Sequence, residues 1–239
     1  MTFNKCELQR FQFATIFWAF LIFITPALAD HPGGKIDEYM EQQEKYFQAM
    51  DIANAPEFSL IDVDGAKVSL SDFKDKVVIL NFIFTSCTDS CPIHTAVMAD
   101  IQEKINITPM KDNVQIISIT TDPEKDTGEV LKRYSEKFNI DPVNWKFLTI
   151  PSGAAESTTR DLSSAYNVKF EPMKDGQQMH GAVTHIIDRN GRFAGKFHGL
   201  EFSPVNVVLY VNGLINNWYT NDDHHSKSIW ETIKDFLSL

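Results

Sequence analysis

The feature that most constrains the fold is an apolar run, residues 77–84, that ends just before two closely spaced cysteines. Apart from Asn81, the run is apolar on both alternating faces and rich in β-branched and aromatic side chains. That composition is typical of a central parallel strand covered on both faces. Cys87 and Cys91 follow, and Pro92, which suits the first turn of a helix because it lacks an N–H, comes next. The sequence therefore predicts a buried strand, a turn with Cys87, and a helix that begins near Cys91.

The predicted helix gives the two cysteines a chemical role. Free N–H groups and the helix dipole favour an anion at the start of a helix, and a thiolate is such an anion. The thiolate is also the form of cysteine that binds metal or attacks a disulfide. An inert structural disulfide is the alternative interpretation of the pair. The helix itself is predicted from apolar residues at four-residue intervals: Ile93, Val97, Ile101 and Ile105.

Residues 1–29 have the pattern of a signal peptide. Lys5 and Arg10 provide a positive start, an apolar core follows, and small residues flank the leucine of the Ala-Leu-Ala segment at 27–29. The uncharged run 11–29 is nearly long enough to span a bilayer, so an uncleaved membrane anchor is the alternative. The sequence thus predicts an exported protein that is either processed or held by an uncleaved membrane anchor.

Cysteine usage and charge narrow the class of function. Of three cysteines, Cys6 would leave with the signal peptide, so that the mature chain would keep a single close pair. A lone pair in an exported protein of this size indicates redox or metal chemistry rather than a disulfide framework. The formal net charge of −10 argues against a nucleic-acid partner.

The chain divides by composition into four segments. Residues 1–29 are the targeting segment, and residues 30–54 are predicted to form a polar linker or peripheral segment. Residues 55–218 carry the strand and helix patterns of one domain. Residues 219–239 form a tail with a possible helix.

The element order within the domain predicts a thioredoxin-like α/β fold. A β-hairpin opens it, alternating strands and helices follow, and a second hairpin and a helix close it. We expect a central mixed sheet with helices on both faces and the first hairpin as an N-terminal extension. The predicted elements are a hairpin at 58–73 about Asp64-Gly65, strands at 114–120 and 145–150, a helix capped by Thr127, a helix at 154–166, a polar loop at 170–179, a hairpin at 182–197, and a helix from Ser203 to about Trp218.

Several motifs together resemble the Sco/SenC family. Residues 84–92 match its Cys-x-x-x-Cys-Pro motif after a hydrophobic strand and Phe-Thr, and residues 118–127 are similar to its Ser-x-Asp-Pro-x-x-Asp-Thr stretch. Tyr134 and Phe138 fall where the family has aromatic residues, and His180 corresponds to the family's histidine before the closing hairpin.

The resemblance implies a periplasmic copper protein, or one anchored in the inner membrane and facing the periplasm, that helps to build the dinuclear copper centre of cytochrome c oxidase. Cys87, Cys91 and His180 would be the metal ligands. The implied role is copper delivery or reduction of the centre's cysteines. The implied partners are a copper-receiving oxidase subunit or another copper chaperone, together with a thiol reductant and a nearby membrane.

The residues themselves support such a site without fixing the metal. Two thiolates and an imidazole suit copper, although zinc also accepts this donor set. The alternative for His180 is a surface loop histidine. Cys87 and Cys91 could instead be a redox-active pair in a thiol-disulfide oxidoreductase, which has no need of His180. We therefore predict a metallochaperone, with the oxidoreductase as the alternative.

The remaining candidates are assigned weaker roles. His185 is expected to be packed or hydrogen-bonded, and His94 to lie near the thiols without binding metal. Asp122 either caps a turn or approaches the site from the end of a neighbouring strand. Met173 and Met179 are expected to be exposed in their loop, and His31 is a weak Cu(II) candidate at the mature N-terminus. His198, His224 and His225 are expected to be solvated.

Overall fold

The computed structural model describes residues 34–52, 54–168, 171–172, 178–179 and 181–216. The predicted signal or anchor, the C-terminal tail and His180 lie outside these residues, as do His31, His224, His225 and Met173. Within the described part, no helix has both the length and the apolar character needed to cross a bilayer.

An eight-stranded mixed sheet forms the centre of the described fold, in the order β1-β10-β9-β4-β5-β6-β2-β3. The strands β4, β5 and β6 are parallel, whereas β9 runs antiparallel to β4 on its other side. Two further short strands, β7 and β8, pair only with each other. The bounds are β1 Phe47–Ile52, β2 Ser59–Asp62, β3 Lys67–Ser69, β4 Val77–Ile83, β5 Val114–Thr120, β6 Trp145–Thr149, β7 Glu171–Pro172, β8 Gln178–Met179, β9 Val183–Ile187 and β10 Phe193–His198.

Helices cover both faces of this sheet, as predicted. All seven residues of β4 are buried, and alternate ones enter two separate apolar clusters. Ile79 packs with residues of α1, α2, α3 and α5, whereas Leu80 packs with the N-terminal hairpin and the end of α4. The helices are α1 Gly34–Gln43, α2 Ser90–Asn106, α3 Gly128–Lys137, α4 Thr158–Ala165 and α5 Pro204–Ile215, with 3₁₀ turns at Leu70–Phe73 and Pro109–Asn113.

The segment assigned to a polar linker or peripheral region, residues 30–54, contains part of the fold. Its α1 buries Ile36 and Met40 in the core, and its β1 pairs antiparallel with β10 through Phe47 and Phe197. Residues 34–52 are therefore part of the described fold. Local pattern does not indicate this strand, because β1 is short and its polar residues, Gln48 and Asp51, do not alternate with apolar ones, so its strand character depends on the neighbouring strand.

Other predicted elements have the right type but different bounds. The first hairpin forms, with Gly65 at positive φ in its turn, but its second strand stops at Ser69 and continues as a 3₁₀ turn. The predicted helix at 154–166 is shorter, and β7 and β8 lie within the predicted loop at 170–179. Thr127 caps α3 as expected, because its side chain accepts a hydrogen bond from the N–H of Val130.

Candidate metal and thiol site

The two cysteines lie where β4 gives way to α2. Cys87 is in the connecting turn, and Cys91 is in the first turn of α2, after the N-cap residue Asp89. Both are free thiols, and their exposed fractions are only 7% and 1%. With Phe84 they form a small buried cluster of their own. The predicted strand, turn and helix are confirmed, and the thiols lie at the carboxyl end of the parallel strands.

Hydrogen bonds at the start of α2 act on the sulfur of Cys87. The N–H of Cys91 donates to Cys87 Sγ at 3.4 Å, and Ser90 Oγ lies 4.0 Å from the same sulfur. Burial by itself raises the pKa of Cys87, but the backbone N–H groups of Cys91 and Asp89 outweigh it and leave that pKa below its ordinary value. Cys87 is therefore the sulfur more easily ionised.

Cys91 behaves in the opposite way. Its burial strongly raises its pKa, and the negative charges expected on Cys87 and Asp126 raise it further. The pair is thus chemically unequal, with a thiolate favoured at Cys87 and a protonated thiol at Cys91. Such a pair can offer one nucleophile and one proton-bearing thiol, or two sulfur donors once the second proton has been displaced.

The two aspartates that follow β5 differ in what they contact. Asp122 pairs with the exposed Lys125 at 2.9 Å, and its own N–H is bonded to Thr120, which fits the predicted turn-capping role. Asp126 instead reaches the turn of residues 84–90, called the thiol turn below, where Thr85 donates to it from its backbone and side chain. Sequence reasoning missed Asp126, although it belongs to the same motif.

The start of β9 lies at the same end of the sheet as the thiols. Because β9 is antiparallel to β4, with His185 opposite Leu80, it begins at the end of the sheet where β4 ends. His94, one turn after Cys91 on α2, is buried and its Nε2 is 2.8 Å from Thr184 Oγ1. This contact fixes the first residues of β9 against the helix that carries Cys91.

His185 is packed rather than available to a metal, as predicted. It is completely buried among the rings of Phe82, Tyr166 and Phe193, and Nδ1 is 3.1 Å from the carbonyl oxygen of Leu80. Burial lowers its pKa to about 3, so the ring is neutral at ordinary pH.

His198 corrects one expectation. It is only partly exposed, and its Nε2 lies 2.9 Å from Gln48 Oε1, because β1 runs beside the end of β10. Among the residues that the structure describes, no group of three or more His, Cys, Asp and Glu side chains is arranged to hold a metal.

Known proteins share both the sequence and the fold of this chain. The SCO1/SenC family model matches residues 48–215. A Bacillus subtilis protein named as a SCO1 protein homolog is 30% identical over 154 residues, which cover 64% of this chain and 77% of the relative.

Three solved structures extend the likeness to the fold. A SCO1/SenC family lipoprotein from Bacillus anthracis is 28% identical with a TM-score of 0.63, covering 70% of this chain and 97% of that one. BsSco, described with a disulfide switch and as a member of the Sco family of cytochrome c oxidase assembly proteins, is 26% identical with a TM-score of 0.62 over 71% and 96%. Bradyrhizobium japonicum ScoI, solved with copper bound, is 27% identical with a TM-score of 0.53 over 68% and 99%. The chain therefore belongs to the SCO1/SenC family and has the thioredoxin-like fold predicted for it.

Proposed function

We propose that this protein binds copper through Cys87, Cys91 and His180 and acts as a metallochaperone in the assembly of cytochrome c oxidase. The observation that carries the proposal is the placement of two free thiols at the start of α2, with the pKa of Cys87 lowered by N–H donors. Thiolate sulfur is a donor that selects Cu(I). Family membership and the copper-bound relative support the same cargo.

The surroundings of β9 support His180 as the third ligand. The residue precedes Val183, the first residue of β9, by three positions, and three residues span at most about 10 Å. Contact between Thr184 and His94 keeps the beginning of β9 next to the turn that holds Cys91. The short connection and this contact support a ligand on the segment that leads into β9.

The unequal thiols indicate how a copper ion would be accepted. Cys87 offers a thiolate first, and Cys91 gives up its proton as the metal binds, so that binding releases protons and strengthens as pH rises. Burial of both sulfurs limits access of water to the site. The ion is cargo, and we expect it to pass to a copper-receiving oxidase subunit or to another copper chaperone.

The inequality of the thiols also favours a second candidate, a thiol-disulfide oxidoreductase. Cys87 thiolate would attack a partner disulfide, forming a mixed disulfide and releasing one partner thiolate. Cys91, once deprotonated, would attack Cys87 Sγ, closing the Cys87–Cys91 disulfide and releasing the second partner thiolate. Two electrons pass to the partner, and a thiol reductant restores the pair. BsSco, with its described disulfide switch, supports this alternative.

The proposed place of action is the periplasm, either as a processed protein or as one held by an N-terminal anchor. The support comes from the signal-like residues 1–29. Sequencing the N-terminus of the protein from membrane and periplasmic fractions distinguishes the two: a new terminus at Asp30 supports processing, and an intact one supports the anchor.

Copper titration of the fully reduced protein tests the main proposal. We expect one copper per chain, with binding weakened severely in Cys87→Ser, Cys91→Ser and His180→Ala and retained in His198→Ala, whose histidine contacts Gln48. Disulfide exchange should survive in His180→Ala. Failure of the wild-type protein to bind copper, together with ready reduction of a partner disulfide, would overturn the chaperone proposal in favour of the oxidoreductase.

A further inference from the structure

Asp126 joins the end of β5 to the thiol turn. Its side chain is completely buried and accepts three hydrogen bonds. The backbone N–H of Thr85 donates to Oδ2 at 3.0 Å, and Thr85 Oγ1 donates to Oδ1 at 2.5 Å. Thr120 Oγ1 donates to Oδ2 at 2.5 Å from the last residue of β5. Hydrogen bonds to a charged group are among the stronger ones, which offsets the cost of burying this carboxylate.

The carboxylate is itself held on a rigid support. The N–H of Asp126 donates to the carbonyl oxygen of Asp122 at 2.9 Å, and the next residue, Thr127, caps α3. Thr121 donates its N–H to the carbonyl oxygen of Ile83, the last residue of β4, at 2.9 Å. The turn after β5 is therefore fixed both to α3 and to the strand that leads into the thiols.

By comparison, the thiol turn has long internal contacts. Cys87 donates its N–H to the carbonyl oxygen of Phe84 at 3.3 Å, and the Cys91 N–H lies 3.4 Å from Cys87 Sγ. The bonds from Thr85, two residues before Cys87, to Asp126 are shorter than both of these contacts.

We propose that Asp126 is a positioning residue, which fixes the turn of residues 84–90 so that Cys87 Sγ stays beside Cys91 for binding one metal ion. The proposal rests on the proposed copper function, and it assigns Asp126 no contact with the metal. Asp122, four residues earlier, does not share the role, because its side chain pairs with Lys125.

Asp126→Asn is the discriminating variant. An amide keeps one acceptor oxygen but replaces the other with an NH₂ group, which faces donors on Thr85 or Thr120. We expect the Cu(I) affinity to fall about 10- to 100-fold, the usual effect of removing a residue that orients a ligand. Asp122→Asn removes the same charge from the same turn, and should change the affinity by no more than about threefold, since its partner is an exposed lysine.

A metal-free readout separates this role from general destabilisation. Amide hydrogen exchange at Cys91 should be about tenfold faster in Asp126→Asn, whereas amides in the middle of β5, such as Ile117, should keep their wild-type rates. Thr85→Val removes only the hydroxyl donor. It should show a smaller increase in the exchange rate at Cys91, and it takes the place of Asp126→Asn if that variant does not fold.

The outcomes distinguish this inference from the proposed function. Faster exchange at Cys91 and weaker copper binding in Asp126→Asn and Thr85→Val, but not in Asp122→Asn, support the positioning role. The positioning role is overturned if Asp126→Asn or Thr85→Val folds and keeps the wild-type exchange rate at Cys91 and the wild-type copper affinity. It is also overturned if Asp122→Asn loses as much copper affinity as Asp126→Asn. If the wild-type protein binds no copper, the proposed function fails, while the exchange rates still decide whether Asp126 fixes the turn.

Discussion

The thiol turn and the junction of α1, α5 and β10 both bury polar groups, but they pair them differently. At the junction, Asp188 accepts a hydrogen bond from Arg192 Nε at 3.0 Å, and Tyr210 donates to Asp37 at 2.5 Å. Both contacts are short: the first is an ion pair within one hairpin, and the second joins α1 to α5, which are distant in sequence.

In the thiol turn, by contrast, the Cys91 N–H and Ser90 Oγ lie 3.4 and 4.0 Å from the sulfur of Cys87, which are long contacts. A buried group with short hydrogen bonds holds elements of the fold together. A buried sulfur with long hydrogen bonds can give them up when it binds a metal or attacks an electrophile. The difference teaches that the reactive sulfur is held by long contacts beside a residue, Asp126, whose own hydrogen bonds are short.

Removal of Arg192, the cation of the junction, should have the largest effect on stability. Arg192→Met leaves Asp188 and Asp37 buried near a thioether, and should lower the free energy of unfolding by about 3–5 kcal/mol. Urea unfolding followed by circular dichroism measures the loss. The exposed pair of Arg133 and Glu129 supplies the matched control, since Arg133→Met should cost about 1 kcal/mol or less. Equal costs for the two would contradict the structural role of the junction.

A pH titration of stability extends the comparison to His185. The folded-state pKa of this histidine, about 3, lies below its ordinary value of 6.5, so unfolding takes up a proton as pH falls between them. Its contribution to stability is present above about pH 6.5 and should decline by up to about 1.4 kcal/mol per pH unit below it.

The variant His185→Phe isolates this effect, because phenylalanine keeps a ring among Phe82, Tyr166 and Phe193 and does not titrate. Unfolding free energies of both proteins, measured from pH 7 down to pH 4, should diverge in slope. Parallel curves would show that His185 is not the buried neutral group described.

Alkylation distinguishes the two thiols. Iodoacetamide at neutral pH should modify Cys87 faster than Cys91, because only Cys87 has a lowered pKa and it is the more exposed of the two. Peptide mass spectrometry at short reaction times measures the ratio. Preferential modification of Cys91 would reverse the assignment of the nucleophile.

The smallest expected change is in the stability of Cys87→Ser. The sulfur lies 3.4 Å from the Cys91 N–H and 4.0 Å from Ser90 Oγ, and serine keeps a hydrogen-bonding atom there, so the free energy of unfolding should change by about 1 kcal/mol or less, in contrast to Arg192→Met. Urea unfolding of the reduced, metal-free proteins provides the measurement. A loss as large as that of Arg192→Met would make Cys87 a structural residue.

Local pattern was enough to predict the strand, turn and helix that hold the thiols. Residues 77–92 contain all the signals: an apolar run for β4, polar residues for the turn, and Pro92 at the start of the helix. The short strand β1 could not be predicted in the same way, since its pairing with β10 joins residues about 150 positions apart.

Contacts between residues distant in sequence also decide the roles of the two aspartates after β5. Asp122 and Asp126 occur in one motif, and only the three-dimensional position of Thr85 shows which carboxylate reaches the thiol turn. His198 was expected to be solvated for a similar reason, because Gln48 approaches it from the strand that sequence reasoning missed.

X-ray absorption of the Cu(I)-loaded protein tests the central claim most directly, because it reports the atoms bound to the metal. The account predicts two sulfur scatterers and one nitrogen with the outer-shell pattern of imidazole, the nitrogen being lost in His180→Ala and one sulfur in Cys87→Ser. A wild-type copper site with no sulfur ligand, or one unchanged by Cys87→Ser and Cys91→Ser, would contradict it.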